Sequence, residues 1–296
     1  MTAVSGHING ARARLRDAGI SPGEAACDAE LLARSVLGWD RTTYLTRSRT
    51  EAPLGFVQRY AAALARREQR EPVSLITGHK EFWGLEFDVT PDVLTPRPET
   101  EFLVEEALCR LPKPASTPLH VVDVGTGSGC LAVAIAHERP DAHLTATDVS
   151  AAALAVAKRN AQRHGVEDRI SWMCTTFLDG VEETPDLIVA NLPYVPEADW
   201  PNLPPEVRDF EPRVALDGGA DGLAVIRQLV DRARARLVPG GHLVAELGEG
   251  QAGSLRRHVE KQSGLAYRGV RNDLQGIPRI ATIQRTALKD QPSPGA

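Results

Sequence analysis

Hydrophobic residues follow helical spacing over the N-terminal part of the chain. Between residues 8 and 71 they recur at three- and four-residue steps, which predicts amphipathic helices. The clearest such positions are Ala29, Leu32, Ala33, Val36 and Leu37. Ser21 before Pro22 predicts a helix start, and Gly38 predicts the end of that helix because glycine tolerates the left-handed conformation. We therefore expect a small helical bundle, with a second helix over about residues 53–68.

A different pattern begins after Pro98, where apolar runs typical of strands alternate with helical segments. Such alternation is characteristic of parallel sheets covered by helices on both faces. The predicted strands cover residues 119–124, 143–147, 170–174, 186–190, 241–246, 265–270 and 279–282. The predicted helices cover residues 99–110, 130–138, 151–164, 222–237 and 251–262. The fold class is therefore α/β, with a mostly parallel seven-stranded sheet and a small N-terminal helical bundle.

These patterns divide the chain into consecutive parts. The predicted parts are a helical domain over residues 1–78, a connector over 79–97, an α/β domain over 98–286 and a disordered tail over 287–296. Within the connector, polar and apolar residues alternate about Gly84 from residue 81 to 89, which predicts a β-hairpin. Residues 196–219 are rich in Pro, Asp and Gly and too long for an idle connection, so they form a candidate substrate-facing loop.

Charge and hydropathy limit the classes of partner. The formal net charge of -5 provides no overall attraction for nucleic acid, although it is compatible with a local basic patch. The N-terminus lacks the apolar core of a signal peptide, and no apolar run approaches the roughly 18 residues of a membrane span. We therefore expect an uncleaved cytoplasmic protein with no membrane partner.

The four cysteines are widely scattered. They are Cys27, Cys109, Cys130 and Cys174. Because they form neither a CxxC pair nor a Cys/His cluster, the sequence indicates neither structural zinc nor a disulfide framework. We expect reduced packing residues and no bound metal.

A glycine-rich turn follows the first predicted strand of the α/β domain. It comprises Gly125, Thr126, Gly127, Ser128 and Gly129. Glycines let the backbone approach a ligand closely, and the next helix presents free N–H groups there. Asp148 ends the following strand, where a carboxylate can accept hydrogen bonds from both hydroxyls of a ribose. Plainer interpretations stay open, since glycines also serve tight turns and Asp148 can instead cap the helix that begins near Ser150.

The residues after the fourth predicted strand distinguish methyl transfer from dinucleotide binding, which uses a similar turn. They are Asn191, Leu192, Pro193 and Tyr194. A planar, weakly nucleophilic nitrogen must be held in line with an activated methyl group, and Asn191 Oδ1 with the Leu192 carbonyl can accept its two N–H groups. Tyr194 can stack on the planar group. The pattern favours methyl transfer from S-adenosylmethionine to an amide or amino nitrogen over a plain proline turn with a packed tyrosine.

Longer stretches carry a resemblance to one family. The GTGSG turn and the NLPYV loop are accompanied by EPVSLITGHKEFWGLEFDVTPDVLTPRPETE, ALDGGADGL and RNDLQGIPRI. Together these segments resemble, over nearly the whole chain, the bacterial release factor glutamine methyltransferases of the HemK/PrmC type. The connector stretch is the most specific, because methyltransferases in general share the glycine turn but not TPRPETE.

The resemblance implies a Rossmann-like class I methyltransferase fold and a defined reaction. A methyl group would pass from S-adenosylmethionine to the side-chain amide N5 of the glutamine in the Gly-Gly-Gln motif of class I peptide chain release factors, which modulates translation termination. We expect a monomer that meets its release factor transiently, because no long apolar stripe in the sequence suggests an obligate dimer. The acidic net charge and the aromatic content of only 5% predict no stable binding of nucleic acid.

The resemblance further implies roles for particular residues. Residues 125–129 would line the methionine end of the cofactor and Asp148 the ribose, and Thr176 and Asn191 would also contact the cofactor. Residues 191–194 would receive the glutamine amide, with Asn191, Pro193 and Tyr194 as the catalytic residues. Arg97 and Glu99 would brace the cofactor pocket, although an interdomain ion pair accounts for them equally well. We assign no catalytic histidine.

Two departures from the family pattern bear on function. Leu192 replaces the first proline of Asn-Pro-Pro-Tyr, which leaves its carbonyl available. The family also tends to carry an acidic residue near the adenine, where this chain has Cys174, Thr175, Thr176 and Phe177. A lost hydrogen bond to a charged acceptor weakens cofactor binding by about 1.5 to 3 kcal/mol, and a hydroxyl such as that of Thr176 would offset part of this loss.

Rival functions remain open at this point. An adenine N6-methyltransferase acting on ribosomal RNA would use a similar loop after unstacking its base. The arginines Arg66, Arg67 and Arg70 are available for RNA, but such runs are usually solvated helix faces. The other rivals are a methyltransferase for a glutamine of another protein and a binding protein that has lost activity.

Overall fold

The computed structural model describes residues 2–111 and 118–286. The chain divides into two compact units. One unit comprises residues 1–79 and 204–210, and the other comprises residues 80–203 and 211–296. No helix in the described ranges is both long and apolar enough to cross a membrane. The predicted disorder of residues 287–296 falls outside the described residues.

The first unit is a helical bundle. The N-terminal segment of this unit forms five helices in the described residues: α1 (Val4–Asp17), α2 (Pro22–Leu37), α3 (Arg41–Arg47), α4 (Phe56–Glu68) and α5 (Val73–Thr77). Buried side chains from α1, α2 and α4 form one core, which includes Ile8, Leu15, Leu32, Phe56 and Leu64. The predicted ends of α2 are confirmed, because the Ser21 side chain accepts a hydrogen bond from Glu24 N and Gly38 has a φ of 64°.

The expectation of solvated arginines on α4 is wrong for Arg67. Its side chain is 5% exposed, because its Nε donates to Asp28 Oδ2 at 2.7 Å and its Nη1 donates to Glu206 Oε1 at 2.9 Å. Arg70 donates to Glu206 Oε2 at 2.8 Å. Buried charges persist where they are paired in this way. These ion pairs hold residues 204–210, from the middle of the candidate loop, against the helical bundle.

The chain after α5 alternates strands and helices. Its elements are β1 (His79–Phe82), β2 (Leu85–Asp88), α6 (Glu101–Arg110), β3 (Leu119–Val124), α7 (Cys130–Glu138), β4 (Ala142–Asp148), α8 (Ala151–Arg163), β5 (Ile170–Cys174), β6 (Leu187–Ala190), α9 (Pro205–Arg208), α10 (Ala224–Arg236), β7 (His242–Glu246), α11 (Ala252–Glu260), β8 (Leu265–Asn272) and β9 (Pro278–Arg285). Seven strands form one sheet in the order β5-β4-β3-β6-β7-β9-β8. Of the seven strands in this sheet, only β9 runs in the opposite direction to the rest. The predicted mostly parallel α/β sheet is therefore confirmed.

The predicted hairpin before this sheet is also confirmed. β1 and β2 pair with each other, and Trp83 and Gly84 between them have φ angles of 55° and 68°. A two-residue turn with positive φ at both positions matches the right-handed twist of the strands that it joins. Phe82 and Phe87 on the two strands are buried in the core of the second unit.

The last two strands are longer than the sequence predicts. The prediction ends one strand at residue 270 and the other at residue 282, whereas β8 continues to Asn272 and β9 to Arg285. The register of this pair shifts between Tyr267 and Gly269. Such a β-bulge interrupts the alternation of polar and apolar residues, which hides the true ends of both strands in the sequence.

The expectation that the cysteines serve as packing residues is wrong for three of them. Cys27, Cys109 and Cys174 are exposed, and Cys130 is half-buried. All four are free. The exposed thiols therefore contribute little to the core.

Candidate functional site

A cavity of about 570 Å³ opens in the second unit where β3, β4 and β6 end. The three strands are adjacent and parallel, so their carboxyl ends meet at one edge of the sheet. This is the edge where open α/β sheets bind ligands. The volume lies within the roughly 300–1,000 Å³ that is usual for small-molecule sites.

Most of the candidate residues from the sequence lie on this cavity. Those that line it are Gly125, Thr126, Gly127, Ser128, Asp148, Thr176, Asn191, Leu192 and Pro193. Gly129 and Tyr194 do not line it. The glycine turn, the acidic residue and the Asn-Leu-Pro segment are thus brought together, although Gly125 and Pro193 lie 68 positions apart in the chain.

The glycines of the turn are required for different physical reasons. Gly127 has a φ of 55°, and a Cβ added there would meet no atom within 4 Å, so this backbone faces open space. Gly129 has a φ of 80°, and its added Cβ would lie 2.9 Å from Ala157 Cβ. Gly129 therefore permits the close packing of the start of α7 on α8 rather than contact with a ligand.

Asp148 fixes the glycine turn. Its Oδ2 accepts a hydrogen bond from Gly127 N at 2.9 Å and its Oδ1 accepts one from Ser150 N at 2.8 Å. The cap of α8 is Ser150, whose Oγ accepts from Ala153 N, so capping of this helix does not account for Asp148. A carboxylate has about four lone-pair directions, and acceptor capacity is therefore left for two further donors such as ribose hydroxyls.

A chain of buried hydrogen bonds holds the Asn191 amide. Asn191 Nδ2 donates to Thr100 Oγ1 at 3.0 Å, and Thr100 Oγ1 donates to Glu246 Oε2 at 2.7 Å. The Tyr194 hydroxyl donates to Glu246 Oε1 at 3.3 Å. Neither Thr100 nor Glu246 was predicted as a site residue from the sequence. The one indication was the position of Glu246 at the end of a predicted strand, next to the strand that leads to Asn191.

Burial shifts the acid–base properties of this chain of bonds. Glu246 is 3% exposed, and loss of solvation raises the pKa of its carboxyl to about 7, against the effect of its hydrogen bonds and of Arg279. Burial together with the nearby Glu246 also raises the pKa of Tyr194. Tyr194 is therefore a neutral donor, whereas Glu246 changes charge near neutral pH.

The Asn-Leu-Pro-Tyr loop is anchored at two further points. Gln251 Nε2 donates to the Tyr194 carbonyl at 2.8 Å, and Gln251 Oε1 accepts from Gly248 N at 2.8 Å. At the other end of the loop, a Cβ added to Gly125 would lie 2.8 Å from Leu192 Cδ2. The loop and the glycine turn are thus in direct contact. Any other residue at position 125 would have to displace the Leu192 side chain and adopt a φ of 74°.

The connector supplies one wall of the cavity, including Arg97 but not Glu99. Arg97 Nη2 donates to Glu211 Oε2 at 2.5 Å. Glu211 is 7% exposed, and burial raises the pKa of its carboxyl against the opposing charge of Arg97. Both residues belong to the same unit, so an interdomain ion pair does not describe this contact.

These groups fit a nucleoside cofactor with an amino-acid end. Asp148 can accept from ribose hydroxyls, and Ser128 in the glycine turn can donate to a carboxylate. The wall next to them is largely apolar, with Val93, Leu94 and Val149 among the lining residues. A mixed lining of this kind suits S-adenosylmethionine.

Known proteins share both the sequence and the fold. A family described as the PrmC N-terminal domain matches residues 8–78, and one described as the methyltransferase small domain matches residues 100–201. A release factor glutamine methyltransferase of Bradyrhizobium diazoefficiens is 39% identical over 92% of this chain and 92% of its own. One of Cereibacter sphaeroides is 42% identical over 93% and 95%.

The chain belongs to the release factor glutamine methyltransferase family. The resemblance found in the sequence motifs is thereby confirmed. S-adenosylmethionine, the predicted cofactor, is the cofactor of this class of methyltransferases. A crystal structure of a methyltransferase from Pyrococcus furiosus, with a TM-score of 0.51 at 19% identity over 70% of this chain and 91% of that one, shares the fold.

This member of the family lacks an acidic side chain directly after β5. The Thr175 hydroxyl donates to the Asp179 carbonyl at 3.1 Å, so it is used within its own loop. Phe177 is held at a φ of 53°, with its carbonyl accepting from Thr147 Oγ1 at 2.8 Å. Thr176 lines the cavity, which leaves it as the hydroxyl that can substitute for the acid.

Asp123, at the carboxyl end of β3, is a buried carboxylate that sequence analysis also missed. Its Oδ2 accepts from Thr126 Oγ1 at 2.6 Å and from Ala132 N at 3.2 Å. Its Oδ1 is buried and has no hydrogen-bond partner in the described part of the chain. Loss of solvation, with a contribution from the charge of Asp148, raises the pKa of Asp123 to about 7.

We expect the Asp123→Asn variant to show a weaker pH dependence of stability. Because the folded-state pKa lies above the unfolded one, the folded protein holds an extra proton, and stability falls as the pH rises through about 7. The neutral amide removes this dependence. The free energy of unfolding of the variant, relative to that of the parent, should therefore rise by roughly 2–3 kcal/mol from about pH 5 to about pH 8.

Urea unfolding at the two pH values measures this difference. Glu246 titrates in the same range in both proteins, so it cancels in the comparison. An unchanged difference between variant and parent at the two pH values would show that Asp123 is already ionised at low pH.

Proposed function

We propose that this chain transfers a methyl group from S-adenosylmethionine to the side-chain amide N5 of the glutamine in the Gly-Gly-Gln motif of class I peptide chain release factors. The observation that carries the proposal is the Asn191 amide. It stands beside the glycine turn with its Nδ2 bonded to Thr100, which leaves Oδ1 as the end available to a substrate. Its family relatives are named for the same reaction.

The loop residues position the substrate amide. Asn191 Oδ1 and the Leu192 carbonyl accept its two N–H groups, which fixes the plane of the amide and favours positive charge on the nitrogen. This carbonyl belongs to the Leu192 backbone. The residue is 6% exposed, and its side chain packs in the core. The replacement of the family's proline is therefore compatible with activity, because packing restrains the loop instead.

The remaining site residues have supporting roles. Pro193 shapes the loop next to the acceptors, and Tyr194 anchors it through its carbonyl and its hydroxyl. Stacking of the Tyr194 ring on the substrate amide stays a prediction. We assign residues 125–128 to the methionine end of the cofactor and Asp148 to the ribose, with Thr176 near the adenine. Gly129, which the sequence also predicted to contact the cofactor, is left out because it packs on Ala157 instead.

Bound S-adenosylmethionine supplies a methyl group on a positively charged sulfur. The chain's residues bring the weakly nucleophilic amide nitrogen into line with that methyl group rather than deprotonating it. The proton then departs late to solvent, so the proposal assigns no general base.

The wider organisation belongs to the same proposal. Residues 1–78 serve as the substrate-recognition domain, residues 79–97 as the connector and residues 98–286 as the methyltransferase domain. The protein acts as a cytoplasmic monomer that meets its release factor transiently. It has no stable complex with nucleic acid.

The test is methyl transfer from labelled S-adenosylmethionine to purified class I release factor. A release factor with Gln→Ala in its Gly-Gly-Gln motif is the matched control, and ribosomal RNA is offered in parallel. We expect label in the release factor only when the glutamine is present. Label in the RNA would instead establish an adenine methyltransferase. Binding of the cofactor without transfer to any of these substrates would leave an inactive protein or one that modifies another glutamine.

A further inference from the structure

We propose that Thr100 and Glu246 are positioning residues that determine which end of the Asn191 amide faces the substrate. This inference rests on the proposed function, since it concerns how the substrate amide is received. Neither residue touches the reacting nitrogen in this account. They act through Asn191, by fixing the direction in which a chain of hydrogen bonds runs.

The direction follows from counting donors. An ionised carboxylate only accepts hydrogen bonds, so the single hydroxyl proton of Thr100 must be donated to Glu246. Towards Asn191 the Thr100 oxygen can then only accept, and it receives Nδ2. The opposite end of the amide, Oδ1, is thereby the end left for the substrate.

A reversed chain would present the wrong group. If Thr100 donated to Asn191 Oδ1, the Asn191 NH2 would face the NH2 of the substrate glutamine, and two donors would oppose each other. The shape of asparagine does not prevent this reversal, because the two ends of its amide are nearly equal in size. An acceptor-only partner at the far end of the chain prevents it.

Burial makes the chain of bonds effective. Thr100 is 1% exposed and Glu246 is 3% exposed, so water cannot readily replace the bond between them. Thr100 precedes α6 and Glu246 ends β7, next to β6, which leads into Asn191. Three segments that are far apart in the sequence thus converge on one amide.

Protonation of Glu246 would remove the constraint. A carboxylic acid can donate to Thr100, which frees the Thr100 proton for Asn191 Oδ1. The groups that act on Glu246 are the Tyr194 and Thr100 hydroxyls, Arg279 on β9, Glu99 before α6 and Cys130 on α7. Since burial outweighs Arg279 and the hydrogen bonds, the pKa of Glu246 is raised to about 7, and the correct orientation of Asn191 is enforced above that pH.

Substitutions at Thr100 separate this role from simple packing. Thr100→Val keeps the shape but removes the hydroxyl, whereas Thr100→Ser keeps the hydroxyl. We expect kcat to fall about 10- to 100-fold in Thr100→Val, because the acceptor on Asn191 is misplaced, and to return to within about threefold of the parent in Thr100→Ser. KM for the release factor should change less than kcat, because the alignment of the nitrogen is lost rather than the peptide contacts.

Thr282→Val is the matched control. Thr282 is 3% exposed and its hydroxyl donates to Glu106 Oε1 at 2.7 Å, the same kind of bond at the same length as that between Thr100 and Glu246. It lies on β9, outside the cavity lining. Its loss should lower stability as much as Thr100→Val does and leave kcat unchanged.

The pH profile of kcat provides a readout that packing would not move. In the parent, kcat should decline as the pH falls below about 7, the pKa of Glu246. In Thr100→Val this decline should be absent, because without the hydroxyl the protonation of Glu246 no longer changes the hydrogen bond to Asn191. Glu246→Gln should also lack it, since its amide can both donate and accept.

An NMR titration of the parent tests the same claim without turnover. The side-chain amide signal of Asn191, assigned by its absence in Asn191→Ala, should shift with a midpoint near pH 7 in the parent and stay constant in Thr100→Val. This readout keeps the inference testable even if Glu246→Gln does not fold.

The outcomes separate this inference from the proposed function. If the parent methylates no release factor, the proposed function fails whatever the NMR titration gives. If the parent is active but Thr100→Val matches Thr282→Val in kcat, and the Asn191 signal does not follow pH, the relay from Glu246 is wrong.

Discussion

The Asn191→Ala variant should lose methyl transfer and keep its cofactor. The substitution removes the side-chain acceptor for the substrate amide, and loss of one such preorganised group lowers kcat by about 100- to 1,000-fold. Asn191 Nδ2 bonds only within the site, and the ribose acceptor Asp148 is held independently by backbone N–H groups. Calorimetry should therefore give a Kd for S-adenosylmethionine within about threefold of the parent.

A surface asparagine provides the control for this variant. Asn272 is exposed at the end of β8 and does not line the cavity, so Asn272→Ala removes the same type of side chain outside the site and should leave kcat unaltered. Normal turnover by Asn191→Ala would remove the observation on which the proposed function rests. Loss of cofactor binding in that variant would move Asn191 from the substrate to the cofactor.

The Gly222→Ala variant should displace the Asn-Leu-Pro-Tyr loop. Gly222 has a φ of 73°, and a Cβ there would overlap the Tyr194 carbonyl oxygen and Gln251 Nε2. These two atoms form the 2.8 Å hydrogen bond that anchors the loop. Backbone strain and overlap together should cost roughly 3–5 kcal/mol of unfolding free energy. The residual folded protein should turn over about 100-fold more slowly, because the acceptor atoms are displaced.

Gly250→Ala separates overlap from backbone strain. Gly250 has a φ of 78°, but a Cβ added there would meet no atom within 4 Å. It should lose only about 1–2 kcal/mol, from the left-handed conformation. Urea unfolding of both variants, with kcat measured on the folded fraction, makes the comparison. Equal losses in the two would mean that the Tyr194 carbonyl is free to move and is not an anchor.

The sheet and the location of the site could be predicted because each depends on a local pattern. Strands such as β3 and β6 are buried on both faces, so they read as continuous apolar runs with a clear end. The glycine turn, Asp148 and Asn191 directly follow such ends. Once the strands are parallel neighbours, these residues must meet at one edge of the sheet.

The partners of the site residues could not be predicted in the same way. Thr100, Glu246 and Glu211 are polar positions whose partners lie between 52 and 146 residues away in the chain. Periodicity assigns a residue to a face of a strand or helix but does not say which distant polar group it meets. The burial of Arg67 was missed for the same reason, since it depends on Glu206 in a loop segment far along the chain.

One residue type was also ambiguous at short range. A glycine is required by a positive φ, by the approach of a ligand or by the packing of a neighbouring helix, and the sequence does not separate these causes. Gly127 faces open space whereas Gly129 accommodates Ala157, although both belong to one GTGSG turn. Only coordinates distinguish them.

The most direct test of the account is to find where the methyl group is attached. Purified release factor is incubated with this protein and S-adenosylmethionine, and the peptide that contains the Gly-Gly-Gln motif is fragmented by mass spectrometry, with the Asn191→Ala variant run in parallel. The account predicts one added methyl group on the glutamine side-chain amide, absent with the variant. An unmodified glutamine in the presence of bound cofactor, with the methyl group found on another residue or on ribosomal RNA, would contradict it.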